Sequence, residues 1–147
     1  AWTHADLQTD PADVIDAFSD FQKNPNHKAC ILKGKRIGRN LFDSFFTFWM
    51  GVLSSVLMGV RLHDINAQPK IFSHSFLKKM SNPPNDFSLD VYFMVIAIKN
   101  GYQILEHSVN WNERIAGEPK GGGSLKAKLK LIKQTLSCII KLKKNFK

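Results

Sequence analysis

Residues 41–60 run for twenty positions with Asp43 as their one ionisable side chain. Twenty apolar residues wound as a helix approach the thickness of a bilayer, so this stretch either crosses a membrane or must be covered by the rest of the chain. Asp43, Ser44, Thr47, Ser54 and Ser55 interrupt it. Polar groups at that density are costly in hydrocarbon, and the stretch reads instead as a helix of the protein body that is buried or leans on a membrane.

The elements that would cover it follow from spacing. Val14, Ile15, Phe18 and Phe21 recur at helical intervals behind Asp10 and Pro11. That order predicts a helix with Asp10 as N-cap, Pro11 as first helical residue and Asp13 as a first-turn acid, and it makes residues 1–6 the end of a strand. Pro25 and Asn26 mark a turn, and residues 29–32 form a short buried strand opening into a basic loop at residues 33–39. Residues 72–79 read as a short helix stopped by Asn82-Pro83-Pro84-Asn85. Residues 88–100 read as a longer helix with Leu89, Tyr92, Phe93 and Ile96 on one face and Asn100-Gly101 as its stop. Residues 102–111 follow as a strand. Strands and helices alternate, so the expected class is α/β with a mixed sheet. A chain of 147 residues can bury one core.

The charge is unevenly placed. The net charge is +9, and residues 125–147 carry eight lysines and no acid, so the remainder is close to neutral. Leu125, Leu129, Ile132, Leu136, Ile139 and Ile140 keep one face of this segment apolar, which predicts a basic amphipathic helix behind a flexible joint at Gly121-Gly122-Gly123-Ser124. An anionic membrane surface fits that helix, each nearby lysine contributing about 1 kcal/mol. Nucleic acid does not fit, because Trp2, Trp49 and Trp111 are not interleaved with the lysines as a stacking surface requires. Cys30 and Cys138 are too few for a disulfide framework and read as reduced structural thiols.

Chemistry enters at His4, Asp6 and Gln8, where a strand end meets a helix start. Oxygen ligands there suit Mg²⁺ or Mn²⁺ holding a diphosphate, at the sheet edge where open α/β folds bind ligands. Three further blocks follow: Lys33-Gly34-Lys35-Arg36-Ile37-Gly38-Arg39, Asp64-Ile65-Asn66-Ala67-Gln68-Pro69-Lys70-Ile71-Phe72, and Arg114-Ile115-Ala116-Gly117-Glu118-Pro119-Lys120. In this order, the four segments together resemble the Asp-Ala-Asp-Leu-Gln-x-x-Pro, Gly-x-Arg, Asp-x-x-Ser-Gly-Phe-Arg and Arg-x-x-Gly-Glu-Ser-Lys segments of family 2 glycosyltransferases. The branch that loads sugars onto polyprenyl phosphates is the most similar.

The resemblance implies the acceptor-side, carboxyl-terminal part of a GT-A fold over residues 1–120, with the nucleotide-binding half upstream, and an enzyme working at the cytoplasmic face of a membrane. It implies a nucleotide-sugar donor, a polyprenyl phosphate or glycan acceptor, inversion at the sugar, and Mg²⁺ or Mn²⁺ at Asp6 and Gln8, with His4 where the family has an acid. Arg36, Arg39, Arg114 and Lys120 would contact donor phosphates, Arg through its planar fork. Lys70 would meet the acceptor, and Asp64 and Asp90 would be the catalytic carboxylates, a general base being needed only for a hydroxyl acceptor. A non-catalytic membrane-surface module using residues 125–147 is the rival reading.

Overall fold

The computed structural model describes residues 1–4, 8–38, 41–112 and 125–145. Among them lie five α-helices and a three-stranded mixed sheet, a small α/β domain. Strand β1 (Cys30–Ile37) is central, pairing antiparallel with β2 (Lys70–Phe72) and parallel with β3 (Gln103–Asn110) over eight residues, from Cys30 opposite Gln103 to Ile37 opposite Asn110. Trp2 extends the sheet beyond β2 through reciprocal backbone bonds with Lys70 of 3.0 and 2.9 Å. Of the strand end expected at residues 1–6, Trp2 forms one bridge among the described residues, and residues 5–6 lie outside them.

Helices cover both faces. Helix α1 (Asp13–Lys23) lays Ala17 and Phe21 on Cys30, Leu32 and Ile71. Asp10 Oδ1 accepts the Ala12 N–H at 2.8 Å in a turn ahead of the helix, but the N-cap position is Ala12, which has no side-chain cap. Asp10 and Pro11 therefore precede the helix, where the sequence predicts them as its N-cap and first residue. Ile15 and Phe18 remain exposed, so the buried stripe is narrower than the apolar spacing suggests.

The other face holds the larger core. Helix α4 (Leu89–Lys99) buries every side chain from Val91 to Ala97 and therefore runs through the interior, not along a surface with one apolar face. Trp2, Phe72, Phe76 and Phe93 meet edge to face beneath it, with centroids 4.8 to 5.7 Å apart. Burial of each ring contributes about 2 kcal/mol. Gly101, at φ +76, ends the helix: its N–H bonds Ile98 O while Tyr102 N–H reaches Ala97 O.

Helix α2 (Leu41–Met58) fills the uncharged stretch, and among the described residues no helix is long and apolar enough to cross a membrane. One side of α2 is pinned inward, where Ser55 Oγ accepts the Leu62 N–H at 2.8 Å and donates to Gly51 O at 2.6 Å. Its other side leaves Phe45, Phe48, Trp49 and Val56 exposed. Helix α3 (His74–Leu77) is a single turn capped by Ser73. Helix α5 (Leu125–Asn145) is not an appendage: Thr135, Cys138, Ile139 and Leu142 are buried, and the last three join the α4 core. The joint at residues 121–124 lies outside the described residues.

Candidate active site at the carboxyl ends of the parallel strands

Strands β1 and β3 run in the same direction, so their carboxyl ends lie side by side. Ile37 O accepts the Trp111 N–H at 2.8 Å, and Gln8 O accepts the Asn112 N–H at 2.8 Å. Three segments remote in sequence are thereby tied at one corner: the start of the first acidic block, the end of the Lys33 block, and the two residues that lead toward Arg114. Gly38 makes this approach at φ +83, where a side chain would be strained, with Trp111 O 3.8 Å from an added Cβ.

The basic segment expected to be a loop is strand as far as Ile37. Its regularity arises because Lys33 is buried among partners: Nζ contacts Glu106 Oε1 at 2.8 Å. Gly34 is fixed by packing. A Cβ there would stand 1.9 Å from Gln68 O, and the Gly34 N–H donates to Pro69 O at 2.8 Å. The chain at Gln68-Pro69, joined by a cis peptide bond, passes directly against β1.

Arg36 reaches this corner but is already engaged. Its Nε and Nη2 grip the Asp64 carboxylate, and its guanidinium carbon lies 5.0 Å from the Trp111 ring centroid. Both side chains are nearly enclosed, at 6% and 11% exposure. Burial alone would raise the Asp64 pKa, but the hydrogen bonds and charge of Arg36, with Lys33 behind, outweigh it and hold the carboxyl below its ordinary value. Asp64 sits at φ 39, a left-handed conformation that aspartate tolerates better than most residues, and its carbonyl starts a turn by accepting the Ala67 N–H at 3.1 Å.

A second ion pair lies deeper. Lys70 is 0% exposed, and its ammonium is held by Asp90 and by Ile65 O at 2.9 Å. Gln68 Nε2 donates to the same Asp90 oxygen at 3.1 Å. Burial lowers the Lys70 pKa against the opposing pull of Asp90. The arrangement therefore brings Lys70 to no acceptor, and Asp90 is occupied as its counter-charge, not standing free as a base. The first-turn acid of α4 and the strand lysine lock helix to sheet.

Beside the Arg36–Asp64 pair, a hollow of about 150 Å³ opens between β1 and α2, lined by Lys35, Arg36, Ser44, Thr47, Phe48, His63 and Asp64. Lys35 and His63 were not marked as site residues by the sequence. Their one signal was position, Lys35 inside the basic block and His63 just before Asp64. Each reaches Glu106 at long range, 4.0 and 3.8 Å, and each is more than half exposed.

At the expected metal position His4 is exposed and Gln8 partly buried, while Asp6 lies outside the described residues, as do Arg39, Arg114 and Lys120. Among the described residues no group of three His, Cys, Asp or Glu side chains is placed to hold a metal ion. His4 and Gln8 alone do not make a metal site.

Comparison of the chain with protein-family models, with curated proteins and with solved structures gives no match.

Proposed function

We propose that this chain is the acceptor-side part of a GT-A glycosyltransferase of family 2, transferring a sugar from a nucleotide-sugar donor to a polyprenyl phosphate with inversion at the anomeric carbon. One observation carries the reading: Gln8, Ile37 and Asn112 are tied together by backbone at the carboxyl ends of parallel strands, the edge at which open α/β sheets hold ligands. In the sequence Arg39 stands two positions beyond Ile37 and Arg114 two beyond Asn112, and the resemblance gives both, with Lys120, to the donor diphosphate. Mg²⁺ or Mn²⁺ bound through Asp6 would there neutralise the departing diphosphate.

The ion pairs bear on the acceptor. Asp64 and Asp90 are both bound to cations, and Asp64 is held anionic, so neither is poised to take a proton from a sugar hydroxyl. An acceptor phosphate oxygen is already ionised and needs only to be positioned. It attacks the anomeric carbon, the bond to the donor phosphate breaks, and the nucleoside diphosphate leaves. The hollow, with the Lys35 ammonium at its rim and His63 beside it as a hydrogen-bonding group, offers the acceptor head a seat in place of the buried Lys70. Phe48 lines that hollow and also belongs to the exposed stripe of α2, so a lipid-borne acceptor lying in a membrane surface would reach it directly.

The exposed apolar side of α2 and the lysines of α5 equally support a non-catalytic module that binds anionic membranes. A thermal-stability titration of the chain, joined to the nucleotide-binding half that this reading requires, with UDP- and GDP-sugars and Mn²⁺ separates the two. Stabilisation that is lost in Asp6→Ala and Arg114→Ala supports the transferase. Vesicle binding with no response to any donor supports the module.

A further inference from the structure

A second cleft lies away from the strand ends, between α5 and the loop of residues 81–88. It encloses about 660 Å³, within the range of sites for small organic ligands. The buried part of its lining is Tyr92, Cys138 and Leu142 with Ser88 among them, and Pro84 stands on the loop side. Along its α5 rim stand Lys130, Lys133 and Lys141. Eleven residues of helix separate the first from the last, so the rim is about 16 Å long.

Its two ends differ in charge. Asp86, the acid in the lining, accepts from both the N–H and the hydroxyl of Ser88, and these bonds hold its carboxyl below the ordinary range, with Lys141 adding to the effect. Lys141 is thus balanced at one end. At the other, Lys130 and Lys133 lie one helical turn apart and form no ion pair among the described residues. The walls keep their shape through fixed contacts: Tyr92 Oη donates to Ser81 O at 2.7 Å, and Asn82 turns the loop at φ 52. The Cys138 thiol is raised by burial and serves as wall, not nucleophile.

We propose that this cleft binds a single-chain amphiphile with a phosphate head, the phosphate held between Lys130 and Lys133 and the chain laid over the Tyr92–Leu142 floor. A phosphomonoester carries between one and two negative charges at neutral pH and so matches two adjacent ammonium groups better than a carboxylate does. An elongated floor of Tyr92, Cys138 and Leu142 selects for an alkyl or prenyl tail over a flat base. The site rests on the packing of α5 against α4 and stands whether or not the chain transfers sugar.

Calorimetric titration of the full chain with monomeric dodecyl phosphate, below its micelle concentration, tests this. One-to-one binding is expected, at least tenfold weaker in the Lys130→Gln/Lys133→Gln double variant and abolished in Ser137→Trp, which fills the cleft. Inorganic phosphate and an uncharged dodecyl maltoside should each bind far more weakly, which would show that head and tail are both required. Equal binding by wild type and the lysine variant overturns the proposal, as does equal binding of the charged and uncharged amphiphiles. Binding to phosphatidylglycerol vesicles without any binding of the monomer also overturns it, because the lysines would then serve a flat membrane surface. Should Ser137→Trp fail to fold, the lysine variant decides alone, both of its positions lying on the rim of the cleft and outside the core.

Discussion

Removing the Asp90 carboxylate separates a structural role from a catalytic one. In Asp90→Ala the fully buried Lys70 ammonium keeps Ile65 O but loses its counter-charge, and breaking a buried ion pair from one side costs about 3–5 kcal/mol. Gln68 Nε2 loses its acceptor as well, adding about 1 kcal/mol. For a chain of this size, roughly 3 °C of melting temperature per kcal/mol gives a drop of about 12 °C or more. The cost should also depend on pH in a definite direction. Burial already places the Lys70 pKa below its ordinary 10.5, and without Asp90 it falls further. Over the interval between folded and unfolded values the unfolded chain binds the extra proton, so the variant gains stability as pH rises, and its deficit is smaller at pH 9 than at pH 6. Lys70→Met in the same background should restore most of the loss, because no unpaired charge remains. Urea unfolding of the single and double variants is the assay. A single-variant loss below about 1 kcal/mol, or a double variant no more stable than the single, refutes the reasoning and returns Asp90 to the candidates for proton transfer.

Gly34→Ala should be among the most damaging small substitutions, since the new methyl would meet Gln68 O at 1.9 Å and one strand must move; a loss of about 3 kcal/mol or more in urea is expected, and a neutral effect contradicts the close crossing. Asp64 and Glu106 both have carboxyls held below their ordinary values by Arg36 and Lys33, so the stability they contribute is present above about pH 4.5 and lost as the medium is acidified through their folded values. Asp64→Asn should therefore flatten the acid limb of the stability curve while lowering stability at pH 7, and an unchanged limb would show that the pair does not persist in solution. Phe48→Ser with Trp49→Ser should weaken binding to anionic vesicles at least fivefold with little change in melting temperature, because both rings are more than half exposed; co-sedimentation with vesicles reads this directly.

Much of the architecture was legible because period and punctuation agree with the tertiary structure. Asp13 opens α1 as its first-turn acid, Gly101 stops α4, and the strand expected over residues 102–111 is found at Gln103–Asn110. Disagreements arise where burial is decided by distant partners. The sequence reading puts Lys33 in a basic loop and Lys70 against an acceptor, yet each is buried because an acid from another element meets it, Glu106 in one case and Asp90 in the other. Strand β2 was not anticipated, its three residues being too few to show alternation, and it exists because Trp2 and β1 flank it. The apolar face drawn on α5 included Leu129 and Ile140, which are exposed, and omitted Cys138, which is buried. Local spacing defines a stripe, but the neighbouring helix chooses which edge of it to cover. Of the candidate site, Arg36 and Asp64 were singled out separately, while their pairing across 28 positions has no signature in the sequence.

Under the proposed function, the corner joining Gln8, Ile37 and Asn112 would receive a metal-bound diphosphate. The measurement that tests this is paramagnetic broadening of backbone amide signals on adding Mn²⁺ with UDP or GDP to the isotopically labelled chain joined to the nucleotide-binding half that this reading requires. Broadening is expected to centre on Gln8, Gly38 and Asn112 and to vanish in Asp6→Ala. Broadening centred on the α5 lysines, or none at this corner with either nucleotide, would contradict the account.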